Sequence, residues 1–205
     1  DGLTTYRIYV TNLDVNDFVS SVYGNNTSPF ELSVPDGIYN SAFNTGWSAS
    51  GISPLFVSSV PELEFDSYGT IGLTESASIS GIAGAADPSL VEDPEQQFSP
   101  MFLTDGSVGG MVNSVTGFAY YILNDGTNTA GLPDVNGRVM IMQITTSGTL
   151  SGSINVQIFP NSVGADFELY TILSSFWFFV LWFLVLMCIG KLCFLRFCFL
   201  TFSKH

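Results

Sequence analysis

Residues 1–168 contain no cysteine, no histidine and no lysine, and only two arginines, Arg7 and Arg138. Each absence removes a class of chemistry. Without Cys or His, a Ser-His-Asp or Cys-His nucleophile cannot be assembled, and zinc and copper lose their usual ligands. Gly46-Trp47-Ser48-Ala49-Ser50 comes within one residue of a nucleophile elbow, but no His is present to activate the serine. Without Lys there is no Walker-type phosphate loop. Without Cys there is no disulfide, so burial must hold the fold. All 18 acids of the chain fall in this part, giving it a net charge of −16. Such a surface repels phosphate backbones and anionic lipid headgroups, so no nucleic acid is expected as a partner.

What remains is a chain rich in Ser, Thr, Asn, Gly and β-branched residues. Short apolar runs recur between Gly, Pro, Asn and Asp clusters. Strands are expected at Leu3–Val10, Phe18–Tyr23, Phe30–Val34, Gly37–Tyr39, Tyr68–Leu73, Ala77–Ile82, Met101–Leu103 and Val115–Leu123. Pro35-Asp36-Gly37 has the composition of a tight turn. Ala83–Pro100, with Asp87-Pro88 and Asp93-Pro94, reads as a long surface loop. No helical periodicity interrupts this pattern. The expected fold is all-β, an antiparallel β-sandwich of jelly-roll-like or Ig-like kind.

The strongest local signal is Gly137–Phe159. Two apolar, β-branched runs flank Ser147-Gly148, which predicts a β-hairpin. With Thr146 opposite Thr149, Ile141 would face Ile154 and Val139 would face Val156. Along the second run, Leu150, Gly152, Ile154, Val156 and Ile158 alternate with Ser151, Ser153, Asn155 and Gln157, a buried face against a polar one. On the first run, Met140, Met142 and Ile144 make the opposite face too apolar for exposure. A loop, a second sheet or another subunit is expected to cover it.

Oxygen ligands cluster at Asp14, Asn16 and Asp17, in the Asp87–Glu95 loop, and at Asp125, Asp134 and Asn136. These are the candidate ligands of a structural Ca²⁺, although none has EF-hand spacing. Glu62 and Glu64, or Asp93 and Glu95, are the carboxylate pairs that a glycosidase would need. Asn25-Asn26-Thr27-Ser28 carries two overlapping N-glycosylation sequons, at Asn25 and Asn26, relevant in a eukaryotic source. Trp47, Tyr68, Tyr120 and Tyr121 could build a sugar-stacking platform, though aromatics at this density commonly fill a core.

The character of the chain changes at residue 169. Leu169–Gly190 is 22 residues without a charge; as a helix it would span ~33 Å, against ~30 Å of membrane hydrocarbon. Lys191, Arg196 and Lys204 follow it and Asp166 and Glu168 precede it, which orients the acidic domain outward. The expected organisation is therefore an extracellular sandwich over 1–168, a transmembrane helix over 169–190 and a short basic cytoplasmic tail over 191–205. Enrichment in Phe, Leu, Cys and Trp also arises when AT-rich non-coding sequence is translated, so the run has a second reading as sequence foreign to the domain. The start at Asp1, without Met, suggests a removed signal peptide.

Thr5-Tyr6-Arg7-Ile8-Tyr9-Val10, Ser21-Val22-Tyr23-Gly24 and Gly137–Phe159 together resemble an uncharacterised secreted β-rich domain of large marine bacterial surface proteins. The resemblance implies an extracellular location and brings no catalytic residues with it. The expected role is that of a non-catalytic cell-surface module for adhesion, binding or assembly. Its partners would be other surface proteins, glycans or further copies of itself. A carboxylate-dependent carbohydrate-active enzyme and a self-assembling filament, coat or capsid subunit are the alternatives.

Overall fold

In the computed structural model, which describes residues 2–175 and 199–204, the chain is built from short strands joined by polar turns. The strands are β1 (Thr4–Thr11), β2 (Phe18–Gly24), β3 (Phe30–Ser33), β4 (Tyr68–Gly69), β5 (Ser89–Glu92), β6 (Gly109–Val112), β7 (Phe118–Tyr121), β8 (Val139–Thr146), β9 (Ser151–Phe159), β10 (Glu168–Ser175) and β11 (Phe199–Lys204). They form two antiparallel sheets. One runs β11-β1-β8-β4. The other runs β5-β7-β2-β9-β3-β6, with β10 on β9. Ile8 and Met142 from the first sheet and Val22, Val156 and Ile158 from the second meet in one core. Tyr120, fully buried on β7, ties the layers by donating its hydroxyl to the Ile141 carbonyl of β8 at 2.7 Å. The molecule is an all-β sandwich.

The expected hairpin is overturned. β8 and β9 do not pair with each other: β8 lies between β1 and β4, and β9 pairs with β2, β3 and β10. The chain instead crosses from one sheet to the other at Thr146–Leu150. The neighbouring segment after β3 makes the opposite crossing, and the two are locked together. Tyr39 N–H donates to the Thr145 carbonyl at 2.7 Å, and Thr146 Oγ1 donates to the Gly37 carbonyl at 2.6 Å. Gly37 takes φ +76° as the expected turn requires. Gly152 lets β3 approach β9 closely: a Cβ there would lie 2.0 Å from the Glu31 carbonyl oxygen.

Every residue of β8 is buried, on both faces. Met142 and Ile144 lie opposite Ile8 and Tyr6 and turn to the interior, whereas a register irregularity at Ile8/Tyr9 sets Met140 opposite Tyr9, and Gln143 and Thr145 lie beneath the excursion that precedes β4. Gln143 organises that side. It accepts from Arg7 Nε at 2.9 Å, and its amide donates to the carbonyls of Glu64 (3.0 Å) and Asp66 (2.8 Å). Thr5 and Thr145 share a hydroxyl hydrogen bond at 2.7 Å in the same row. Gln143→Ala would leave a guanidinium and two carbonyls unsatisfied, at about 1–3 kcal/mol for each buried group left bare. The expected loss is about 3 kcal/mol in urea unfolding; a loss below about 1 kcal/mol would mean that water replaces the amide.

Other expectations need correction. Ala77–Ile82 is turn, Met101–Leu103 sits at a 3₁₀ turn over Ser99–Phe102, and the Asp87–Glu95 loop contains β5. At residue 169 the boundary moves, because Leu169–Ser175 belongs to β10 and pairs along the length of β9. Those residues are therefore strand and not the start of a helix. Phe199–Lys204 of the expected tail pairs antiparallel with β1. The rest of the expected membrane span lies outside the described residues. Among the described residues, no helix is long and apolar enough to cross a membrane.

Candidate functional site

The side of the β5-β7-β2-β9-β3-β6 sheet that faces away from the core carries polar side chains, as the alternation on β9 predicts. One half is closed. Asn155 is fully buried there: its amide donates to the carbonyls of Tyr23, Ser28 and Pro29, and its Oδ1 accepts from Thr171 Oγ1 at 2.6 Å. The other half is open. Tyr121 lies opposite Ser21 on β2, and Ser21 opposite Gln157 on β9, so three strands present one row. Around this row lies a shallow cleft of about 580 Å³ whose walls include Asn124, Asp125 and Phe159. Within the described residues, Tyr121 Oη and Gln157 Nε2 have no hydrogen-bond partner, and both remain available to a ligand.

The rim is held by unusual backbone. Asn161 and Ser162 adopt left-handed conformations at φ 51° and 59°, which non-glycine residues adopt when their surroundings fix them there. Three contacts do so. Asn161 N–H donates to Asp17 Oδ1 at 3.1 Å, Ser162 Oγ donates to the Asn16 carbonyl at 2.8 Å, and Asn124 donates to the Ser162 carbonyl at 2.8 Å. Edge-to-face packing of Phe159 and Phe167, with centroids 6.5 Å apart, supports the same corner.

This corner gathers the segments that carry the predicted calcium ligands, because the Leu13 amide also bonds to the Gly137 carbonyl. Their carboxylates, however, are engaged by the chain itself. Asp17 is fully buried and also accepts from the Asp14 N–H at 2.8 Å. Asp125 Oδ1 takes the amides of Thr127 and Asn128 and the Thr127 hydroxyl; these bonds hold its carboxyl below the ordinary carboxylate range. Asp134 accepts from the Asn136 and Arg138 amides and pairs with Arg138 Nε at 2.7 Å. That guanidinium lies over the Tyr9 ring, 4.2 Å from its centroid. Among the described residues, no group of three or more His, Cys, Asp or Glu side chains is placed to hold a metal ion.

Glu62 and Glu64 lie in a 3₁₀ turn over Pro61–Phe65, not in a strand, and Glu95 N–H caps Asp93 Oδ1 at 3.0 Å. None of these four carboxylates lines the Tyr121 cleft. Of the aromatics, Tyr68 and Tyr120 are buried, and Trp47 packs on Tyr120 and Phe98; Tyr121 alone of the four belongs to the cleft. In the Asn25 turn, Asn25 Oδ1 accepts from the amides of Thr27 and Ser28, while Asn26 is exposed. The roles of Ser21 and Gln157 depend on β2 lying beside β9, a long-range pairing without a local signal. A comparison with known protein families, curated proteins and solved structures finds no match.

Proposed function

We propose that this chain is a non-catalytic surface-binding module that works outside the cell, in keeping with its resemblance to β-rich domains of marine bacterial surface proteins. Its ligand is a neutral glycan held on the open half of the outer sheet face. The observation that carries this reading is the row Tyr121–Ser21–Gln157 within an exposed concave cleft. A tyrosine ring offers an apolar surface with a polar tip. Beside it, the Gln157 amide and the Ser21 hydroxyl supply hydrogen bonds of both senses. The net charge of −16 over residues 1–168 disfavours sulfated and uronic polymers.

A shallow site with one aromatic anchor binds weakly, with Kd expected near ~1 mM, or about −4 kcal/mol. NMR titration of the chain with neutral and with sulfated oligosaccharides tests this. Shifts confined to Tyr121, Gln157 and Asn124, seen with neutral sugars and weakened at least ~10-fold by Tyr121→Ala, are the expected result. Absence of shifts at about 10 mM neutral glycan would sink the reading.

A further inference from the structure

Among the described residues, three that are not glycine have positive φ, and two of them, Asn161 and Ser162, are consecutive. Asn visits this region with help from its short polar side chain. Ser does so less readily, and two such residues in a row lower stability unless their surroundings demand the shape. The same corner holds a buried carboxylate, Asp17, which is costly out of water and needs hydrogen bonds around it. The Asn161 and Asp14 amides supply two of them. Two unfavourable features therefore converge on one turn at the rim of the Tyr121 cleft. Strain of this kind gathers where a ligand is clamped.

What the corner holds in place is a wall of that cleft. Phe159 before it and Gly164 after it both line the cleft, and Ser162 itself does not. The Ser162 carbonyl accepts from Asn124 Nδ2 at 2.8 Å. Asn124 is half-buried, lies just past the end of β7 and lines the same cleft as Tyr121 and Gln157. Donation to a carbonyl fixes which way the amide faces: its nitrogen is turned to Ser162, so Oδ1 takes the other side. Oδ1 accepts from no protein group among the described residues. It is not buried either, since the one buried side-chain polar atom without a partner there is Asn40 Oδ1. Solvent, or a ligand, therefore reaches Asn124 Oδ1.

We infer that the Asn161–Ser162 corner is a positioning device for the cleft, holding Asn124 so that its Oδ1 accepts a sugar hydroxyl beside the Tyr121 ring and the Gln157 amide. The inference rests on the glycan reading and adds to it a third polar contact and a reason for the strained backbone. An Asn side chain left free would have to be ordered when the ligand arrives, which weakens binding. Here the ordering takes place at folding. The pairing also narrows the ligand class. With Gln157 Nε2 donating and Asn124 Oδ1 accepting, the cleft suits a sugar ring with free hydroxyls, which both donate and accept. An ether of the same shape cannot donate. Ser162 enters this scheme only through Asn124, and its own anchor is the hydroxyl that donates to the Asn16 carbonyl at 2.8 Å.

The test is a double-mutant cycle on the full chain, read by NMR titration with maltopentaose, xylopentaose and mannopentaose up to about 20 mM. Ser162→Ala removes the hydroxyl that ties the corner down, and Asn124→Ala removes the contact. Unchanged circular dichroism shows that the variants fold; Ser162→Gly, which suits positive φ, removes the same hydroxyl should the alanine variant fail to fold. Each single substitution is expected to lower affinity at least ~5-fold, in the range of one lost hydrogen bond. The double variant should bind within about twofold of Asn124→Ala, because Ser162 acts only through Asn124. Without ligand, the Asn124 side-chain amide signals should move toward solvent-exposed values in Ser162→Ala while those of Gln157 stay in place. Full additivity in the double variant, or unchanged affinity in Ser162→Ala, overturns the proposal. So does an Asn124 amide signal that Ser162→Ala leaves unmoved. A wild type that binds none of the sugars strikes the glycan reading instead, and the ligand-free signal then decides by itself whether the corner holds Asn124.

Discussion

Phe98→Ala lowers the unfolding free energy by about 4 kcal/mol, the range for emptying a buried aromatic site, and the melting temperature by roughly 10 °C. Phe98 is 3% exposed and stands at the centre of the aromatic core. Its ring stacks on Phe118 at 4.4 Å with the planes 5° apart. It also meets Phe30 and Phe102 edge-on at 5.5 and 5.2 Å, and Tyr120 at 5.4 Å. These rings come from β3, β7 and the Ser99–Phe102 turn, so one side chain joins elements that share no ladder. Glu92 fixes the backbone here by accepting from the Phe98 and Ser99 amides at 2.9 and 3.0 Å. Truncation therefore leaves a cavity that the chain cannot close by shifting. Phe98→Leu should recover about half of the loss. Guanidinium unfolding measures both variants, and a loss below about 1.5 kcal/mol for alanine would show that the site collapses around the missing ring.

The second large effect is a dependence on pH set by Asp66. This residue is 1% exposed and accepts from Ser41 N–H at 2.6 Å and from the Asn44 amide at 2.7 Å. Burial pushes its pKa up to about 6 from 3.8, with the hydrogen bonds from Ser41, Asn44 and Ser67 opposing the rise. The direction follows from proton counting. Below pH 3.8 both folded and unfolded carboxyls are protonated. As pH rises from about 4 to 6 the unfolded group ionises first, so the folded state holds more protons and stability falls. Above about 6 this contribution is flat. A shift of about two units corresponds to ~3 kcal/mol. General charge repulsion follows the same trend, so the informative quantity is the difference between wild type and Asp66→Asn across the window. That difference should change by about 2–3 kcal/mol between pH 4 and pH 7, with wild type losing the more on raising the pH. A constant difference would rule out Asp66 as the titrating group.

The lengths and places of β1, β2 and β3 were legible because each is a run of β-branched and aromatic residues closed by turn-forming ones. The polar face of β9 was legible for the same reason, and with it Gln157 of the Tyr121–Ser21–Gln157 row. The partners of these strands were not. Ser147-Gly148 has the composition of a hairpin turn, yet what decides the path there is Thr146 bonding to Gly37, a contact made over 109 residues. One clue did point the right way. Met140, Met142 and Ile144 left no solvent face on β8, which suits a strand covered on both sides better than one arm of a hairpin. β5 and β6 were missed because Pro and Gly beside them read as loop. Oxygen ligands and turn-capping oxygens are the same residue types, so the amides that Asp125 and Asp134 accept become visible only in three dimensions.

The arrangement of partners also sets the order in which the chain folds. β1 finds β8, and β2 finds β9, with Arg7 and Gln143 touching across 136 residues. In the first sheet β1 therefore waits for β8, while in the second β2 and β3 can meet β7 and β6 before β9 completes the ladder between them. Fold topologies dominated by such distant pairings form slowly, in milliseconds to seconds, because loop closure precedes any gain from pairing. A ribosome-bound chain that has emerged only to residue 135 has no ladder available to β1. The first sheet consequently stays open to unfolded-chain handling until β8 has appeared, and β9 is what joins β2 to β3 in the second.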